Sequence, residues 1–229
     1  MPVDAILFDK DGTLFDFGAT WNSWTAKTIH HLAQGRPEVV QGLAKVLSYD
    51  LDRGEFRRDS IAIASTNSEI SAVMAPYIDH MDVAELEKYL TTSAADATLT
   101  EAVPLVAFLD DLLARGKVLG VMTNDSELSA RNQLQQAGVM DHFAFVAGFD
   151  SGHGAKPDPD PLLAFCTAVG VDPSRTAMVG DSLHDLEAGD AAGMRRIAVL
   201  TGMALHEDLA PLADVVLPDI GHIQAWLDS

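Results

Sequence analysis

With 229 residues, 48% of them hydrophobic and 21% charged, the chain has the usage of a globular protein able to bury a substantial apolar interior, which excludes disordered and fibrous readings. A formal charge of −19 opposes binding to nucleic-acid backbone or anionic lipid, and no stretch reaches the roughly 20 apolar residues that a membrane helix needs. The opening Met1-Pro2-Val3-Asp4 lacks the basic-then-apolar layout of a signal peptide, so a cytoplasmic monomer or homodimer is expected, with neither nucleic acid nor membrane as partner.

The first predicted strand is the short apolar run 5–8, followed at once by Asp9-Lys10-Asp11-Gly12-Thr13. From Asp16 to about Ala95 no convincing β-run appears. Residues 21–32, 37–49, 70–77 and 83–90 read instead as helices, with breaks at Gly35, Gly54 and Asn67. After this interval apolar runs return at 118–122, 143–147, 176–179, 197–200 and 215–217. Between them, 105–113, 126–136, 161–169 and 185–192 carry apolar residues at helical spacing, and several end at a glycine: Gly116, Gly138, Gly170, Gly193. Strand and helix alternate, so the expected fold is α/β, a Rossmann-like parallel sheet flanked by helices with an inserted α-helical cap. Residues 1–15 and 96–229 form the expected core and 16–95 the cap. The single cysteine, Cys166, falls in an apolar helical run and reads as a buried position.

In an open parallel sheet, ligands bind beyond the carboxyl ends of the strands. Three runs end there in polar clusters: Asp9 to Thr13, Thr123-Asn124-Asp125, and Gly180-Asp181-Ser182-Leu183-His184-Asp185. Carboxylates gathered at one rim raise each other's pKa unless a cation compensates, and hard oxygen ligands suit Mg²⁺. Because such an ion takes only one or two protein carboxylates, an aspartate remains for covalent or acid-base work.

These motifs resemble the haloacid dehalogenase superfamily. Its D-x-D-G-T appears as Asp9 to Thr13, its strand-ending Thr or Ser as Thr123, its lysine before proline as Lys156-Pro157, and its G-D-x-x-x-D as Gly180-Asp181 with Asp185. Each motif alone also suits a turn, a helix start or a loop, but the four stand in the family's order on the predicted elements. The insertion resembles the helical cap of the phosphoglycolate phosphatase-like branch.

The resemblance implies a Mg²⁺-dependent phosphomonoester hydrolase acting on a small phosphorylated metabolite, phosphoglycolate-like or a sugar phosphate. Asp9 is then the nucleophile that forms an aspartyl-phosphate, and Asp11 the general acid and base. Gly12, Thr123, Asn124 and Lys156 hold the phosphate. Asp9, the Asp11 main-chain carbonyl and Asp181 ligate the metal, while Asp185 holds a metal-bound water or orients Lys156. A sugar-phosphate mutase of the β-phosphoglucomutase kind shares these motifs and is the alternative. A non-enzymatic phosphoacceptor domain is more distant, since receivers lack the cap and the Asp-x-Asp pair. A dehalogenase does not carry Asp11 in this form, and a phosphonatase would need a cap lysine, for which Lys27 and Lys45 are weak candidates.

Within the cap, Arg53, Arg57 and Arg58 flank Gly54. They read either as a solvated face or, for Arg57 or Arg58, as the anchor of a substrate carboxylate or second phosphate. Trp21 and Trp24 share a helical face, where packing is the default reading and lining of the cleft the lesser one. The histidines show no paired metal spacing. Phe15-Asp16-Phe17 stands where many relatives carry x-Asp-Ser, which puts phosphoglycolate itself in question more than the reaction type.

Overall fold

The computed structural model describes residues 3–63, 65–95 and 97–228. Met1, Pro2, Ala64, Asp96 and Ser229, and with them the expected start of the second core segment at Asp96, lie outside the described residues. The strands are β1 (Ala5–Phe8), β2 (Tyr49–Asp50), β3 (Glu55–Phe56), β4 (Val118–Met122), β5 (Phe145–Ala147), β6 (Thr176–Gly180), β7 (Arg195–Val199) and β8 (Val215–Leu217). The helices are α1 (Phe17–Ala33), α2 (Pro37–Val46), α3 (Asn67–Met74), α4 (Val83–Ala94), α5 (Leu105–Ala114), α6 (Glu127–Gln136), α7 (Asp160–Val169), α8 (Leu183–Ala191), α9 (His206–Leu209) and α10 (Ile223–Leu227).

A parallel sheet in the order β5-β4-β1-β6-β7-β8 forms the centre, with Leu7 of β1 in register with Gly120 and Met178. The two-residue period of a strand sorts the β1 side chains onto opposite faces. Ile6 and Phe8 join Leu109, Leu112, Leu119 and Leu134 on one side, while Ala5 and Leu7 join Met122, Phe165, Met178 and Ala188 on the other. Burial on both faces is why these strands read as unbroken apolar runs. Chain direction switches at β1, whose neighbours β4 and β6 lead away on opposite sides, and a crevice opens above the carboxyl ends of all three.

Helices α1 to α4 enclose an apolar cluster of their own, built on Phe17, Trp21, Ile29, Leu32, Leu43, Phe56, Met74, Leu86 and Leu90. Two adjacent strands of linker join this layer to the sheet: the Asp16 N–H donates to Thr100 O at 2.8 Å and the Ala102 N–H to Leu14 O at 2.9 Å. Asp16 then caps α1 by accepting from the Ala19 N–H at 2.8 Å.

The inserted region is not all helical, as the sequence suggested. Residues 37–49 end as a helix at Val46, and β2 and β3 pair antiparallel through a turn with Gly54 at φ +69°. Two-residue strands are too short to show a period. Asn67 starts α3 rather than breaking a helix, because Thr66 and Glu69 form a capping box there, and Pro76 turns the end of this stretch into a 3₁₀ turn. The short α9 and α10 had no counterpart in the sequence reading. Cys166 is buried beside Thr176, with Sγ and Oγ1 3.5 Å apart. No described helix is long and apolar enough to cross a membrane.

Candidate active site

Strand ends deliver the polar groups to the crevice. Asp9 follows β1 directly, and its N–H still pairs with Val179 O at 2.8 Å, so the carboxylate is fixed at the rim. Thr123 is held likewise after β4, its N–H donating to Ala147 O at 3.1 Å. Lys156 comes from the loop between β5 and α7. Its backbone is clasped by the Asn124 side chain, which accepts from the Lys156 N–H at 2.9 Å and donates to its carbonyl at 2.8 Å. Lys156 Nζ then donates to Asp9 Oδ1 and Asp185 Oδ1, both at 2.6 Å. Ser182 caps α8 and forms a capping box with Asp185, so one helix start orients Asp185 toward Lys156.

Asp9, Asp181 and Asp185 are all buried, and each offers an oxygen within 4.8 Å of the others. Burial, opposed by Lys156 and aided by Asp185 and Asp11, pushes the Asp9 carboxyl up to about 7. Burial and the charges of Asp9 and Asp185 lift Asp181 well above the usual carboxylate range. Burial alone would lower Lys156, but Asp185 and Asp9 outweigh it and hold the lysine as an ammonium. One lysine among three carboxylates leaves negative charge in excess, the condition a divalent cation relieves. Space around Asp181 agrees with that requirement: a Cβ on Gly202 would stand 1.6 Å from its Oδ2 and one on Gly12, at φ +83°, 2.5 Å. The set therefore fits a hard divalent ion.

The Asp11 carboxylate does not join that set. Its Oδ1 accepts from Trp21 Nε1–H at 2.7 Å and its Oδ2 pairs with Lys10 Nζ at 2.7 Å. Lys10 was absent from the sequence-predicted site. It is fully buried, donates also to Asp125 Oδ2 at 3.1 Å and to Gln133 Oε1, and lies 5.3 Å from the Trp21 ring centroid. One signal was available: the alternation that turns Ile6 and Phe8 inward continues to position 10, where a charged side chain needs partners. Asp125 in turn accepts from Asn67 of α3 at 3.2 Å, so a chain of polar contacts crosses from sheet to cap.

A cleft with room for water-sized spheres over about 100 Å³ lies between cap and sheet. Asp9, Asp11, Thr123, Asn124, Lys156 and Asp181 line its floor, with Ser182 and His184. Trp21 and Trp24 line it as well as packing edge to face in the cap core, so both readings made of them from sequence hold. Arg57 and Arg58 are not brought to the cleft. Arg57 pairs with Asp50 at 3.3 Å, and Arg58 reaches Asp208 at 2.6 Å and Met203 O at 3.4 Å across the cap-to-core boundary.

Fold and site together define a protein of the α/β class with an acidic, cation-fitting centre. Residues 3–193 match the haloacid dehalogenase-like hydrolase family, and the chain belongs to it. The N-acetylmuramic acid 6-phosphate phosphatase of Pseudomonas putida is 32% identical over 235 residues, covering 100% of this chain and 98% of that protein. A phosphoglycolate phosphatase of Xylella fastidiosa is 33% identical over 208 residues, covering 89% of this chain and 82% of that protein. Among solved structures, CbbY from Rhodobacter sphaeroides in complex with phosphate superposes with a TM-score of 0.74 at 20% identity over 99% of this chain and all of that one, a likeness of fold.

Proposed function

We propose that the chain is a Mg²⁺-dependent phosphatase that hydrolyses small phosphorylated metabolites through an aspartyl-phosphate on Asp9. One observation carries the reading: Asp9 lies buried in a single cleft with Lys156 at 2.6 Å and with Thr123, Asn124, Asp11 and Asp181 around it. Asp9 attacks phosphorus, the bond to the leaving oxygen breaks, and Asp11 gives that oxygen a proton. Asp11 then takes a proton from water as the water attacks phosphorus and the bond to Asp9 breaks, which restores both carboxyl groups. Lys156, the Thr123 hydroxyl and the Asn124 N–H stabilise the charge on the transferring oxygens. Thr123 Oγ1 already accepts from the Asp125 N–H at 3.1 Å, which leaves its proton to give. Asp9, Asp181 and the Asp11 carbonyl would hold Mg²⁺, with Asp185 orienting Lys156; when bound, the ion offsets the charge of carboxylates and phosphate.

The sequence relatives named as phosphatases support release of phosphate over the mutase alternative, and the substrates in their names, N-acetylmuramic acid 6-phosphate and phosphoglycolate, support a small phosphorylated metabolite as the substrate class. A screen of small phosphorylated acids, sugars and nucleotides, run with Mg²⁺, with chelator and with Asp9→Asn, tests the reading. Free phosphate should appear only with the ion and the native Asp9. Isomerised sugar phosphate without free phosphate would favour the mutase, and an active Asp9→Asn protein would remove Asp9 as nucleophile.

A further inference from the structure

The side of the cleft facing the phosphate end is supplied by the cap and is apolar: Phe17, Trp21, Trp24, Phe56, Ile70 and Met74. All 15 lysines and arginines of the chain lie among the described residues, and Lys156 alone of them lines the cleft. Its ammonium is already shared by Asp9 and Asp185. Lys10 is enclosed by Asp11, Asp125 and Gln133, Arg57 and Arg58 pair elsewhere, and Lys27, Lys45 and Lys88 are exposed outside the lining. His184, on the floor, follows Asp181 by three residues. Four aspartates line the same space: Asp9, Asp11, Asp125 and Asp181.

A substrate bearing a second anion would therefore set it against aromatic and aliphatic walls, close to acidic groups and without an uncommitted lysine or arginine to receive it. Desolvation of an unpaired charge is the most costly arrangement a site can impose. An uncharged leaving group with a ring-sized apolar face meets no such penalty and covers the tryptophan and phenylalanine surfaces. Thr25, Thr28, Ser65 and Asn67, interspersed among these walls, are of a kind that tolerates hydroxyl or amide groups on it.

We propose that the cleft selects phosphate monoesters whose leaving group is uncharged and presents an apolar ring face, and that it discriminates against leaving groups carrying a carboxylate or second phosphate. Selection of a leaving group rests on the phosphatase reading above, while the binding preference stands without it. Benzylphosphonate and phosphonoacetate share a phosphonate and a methylene that the enzyme cannot hydrolyse, and they differ in carrying a ring or a carboxylate. Each is titrated into the Mg²⁺-loaded protein by calorimetry. Benzylphosphonate is expected to bind at least about tenfold more tightly, and Ile70→Lys, which places a cation in the wall, should narrow that ratio. Phosphonoacetate binding as tightly as the benzyl compound, or neither compound binding, overturns the proposal. A protein that shows the preference yet releases phosphate from no ester upholds it and removes the phosphatase reading alone. Equal kcat/KM for phosphoglycolate and benzyl phosphate removes the selectivity alone.

Discussion

Lys10 carries a charge at a position with no solvent exposure, and three oxygens, those of Asp11, Asp125 and Gln133, make that tolerable. Burial alone would lower its pKa, but Asp11 and Asp125 raise it beyond the ordinary lysine value. Truncation to methionine leaves two largely covered carboxylates without their shared cation, and loss of one partner of a fully buried pair, at about 3 to 5 kcal/mol, is the upper bound of the cost. Lys10→Met should therefore lower stability by up to that amount in urea unfolding, and adding Asp125→Asn should recover part of the loss. An undiminished stability would mean that the ammonium is not the cement of this network. Turnover should also fall, because Asp11 loses one of the two groups that aim it, and the loss should be smaller for p-nitrophenyl phosphate, whose leaving group needs little protonation. Strand alternation marks position 10 as inward, but neither the partners of Lys10 nor its contact with Trp21 was legible beforehand. Two of the residues Lys10 binds, Asp125 and Gln133, lie 115 and 123 positions away, and no local period announces such a partner.

Helix starts carry much of the site's precision. Ser182 accepts the Asp185 N–H and donates its hydroxyl to Asp185 Oδ2 at 2.7 Å, so the cap of α8 and the orientation of the Lys156 partner are one device. Replacing Ser182 by alanine should cost about 1 kcal/mol of stability, as loss of an N-cap does, and should also lower kcat through a looser Asp185. Ser182→Thr, which keeps the hydroxyl, should restore both. A normal kcat alongside the lost stability would show that Lys156 and the backbone N–H of residue 182 hold Asp185 without the hydroxyl. This element was readable from sequence, since Ser182-Leu183-His184-Asp185 follows an apolar run with cap spacing. The β2–β3 hairpin was not readable, because two residues per strand give no alternation to detect.

For the whole molecule, gathering Asp9, Asp181 and Asp185 at one rim is expected to couple stability to pH and to divalent ions. Asp9 is raised by burial from 3.8 to about 7, and Asp181 shifts in the same direction. Without metal, the native state then binds more protons than the unfolded chain between those values. The contribution of Asp9 is fully present below pH 3.8 and is lost as pH rises through about 7. Metal-free protein should melt at a lower temperature at about pH 7.5 than at about pH 5, Asp9→Asn should flatten that dependence, and Mg²⁺ should raise the melting temperature most at the higher pH. A metal-free protein that gains stability over this interval would contradict the electrostatic description of the site.

The sequence by itself determined the alternation of the core strands and helices and the parallel sheet, and it marked the polar residues that follow the core strands. Strands buried on both faces must be apolar, so Asp9, Thr123 and Asp181 announce themselves as the polar residues at which such runs stop. The family match over residues 3–193 agrees with the family resemblance read from these motifs. Only the tertiary structure decided what surrounds the floor: Asp11 turned toward Lys10 and Trp21, Asn67 reaching Asp125, and Arg58 spent on Asp208 rather than on the cleft. The reason is physical. Local periodicity reports which face of one element is buried, whereas a cavity is the meeting of side chains from several elements, and its polarity is fixed by packing among residues far apart in the chain.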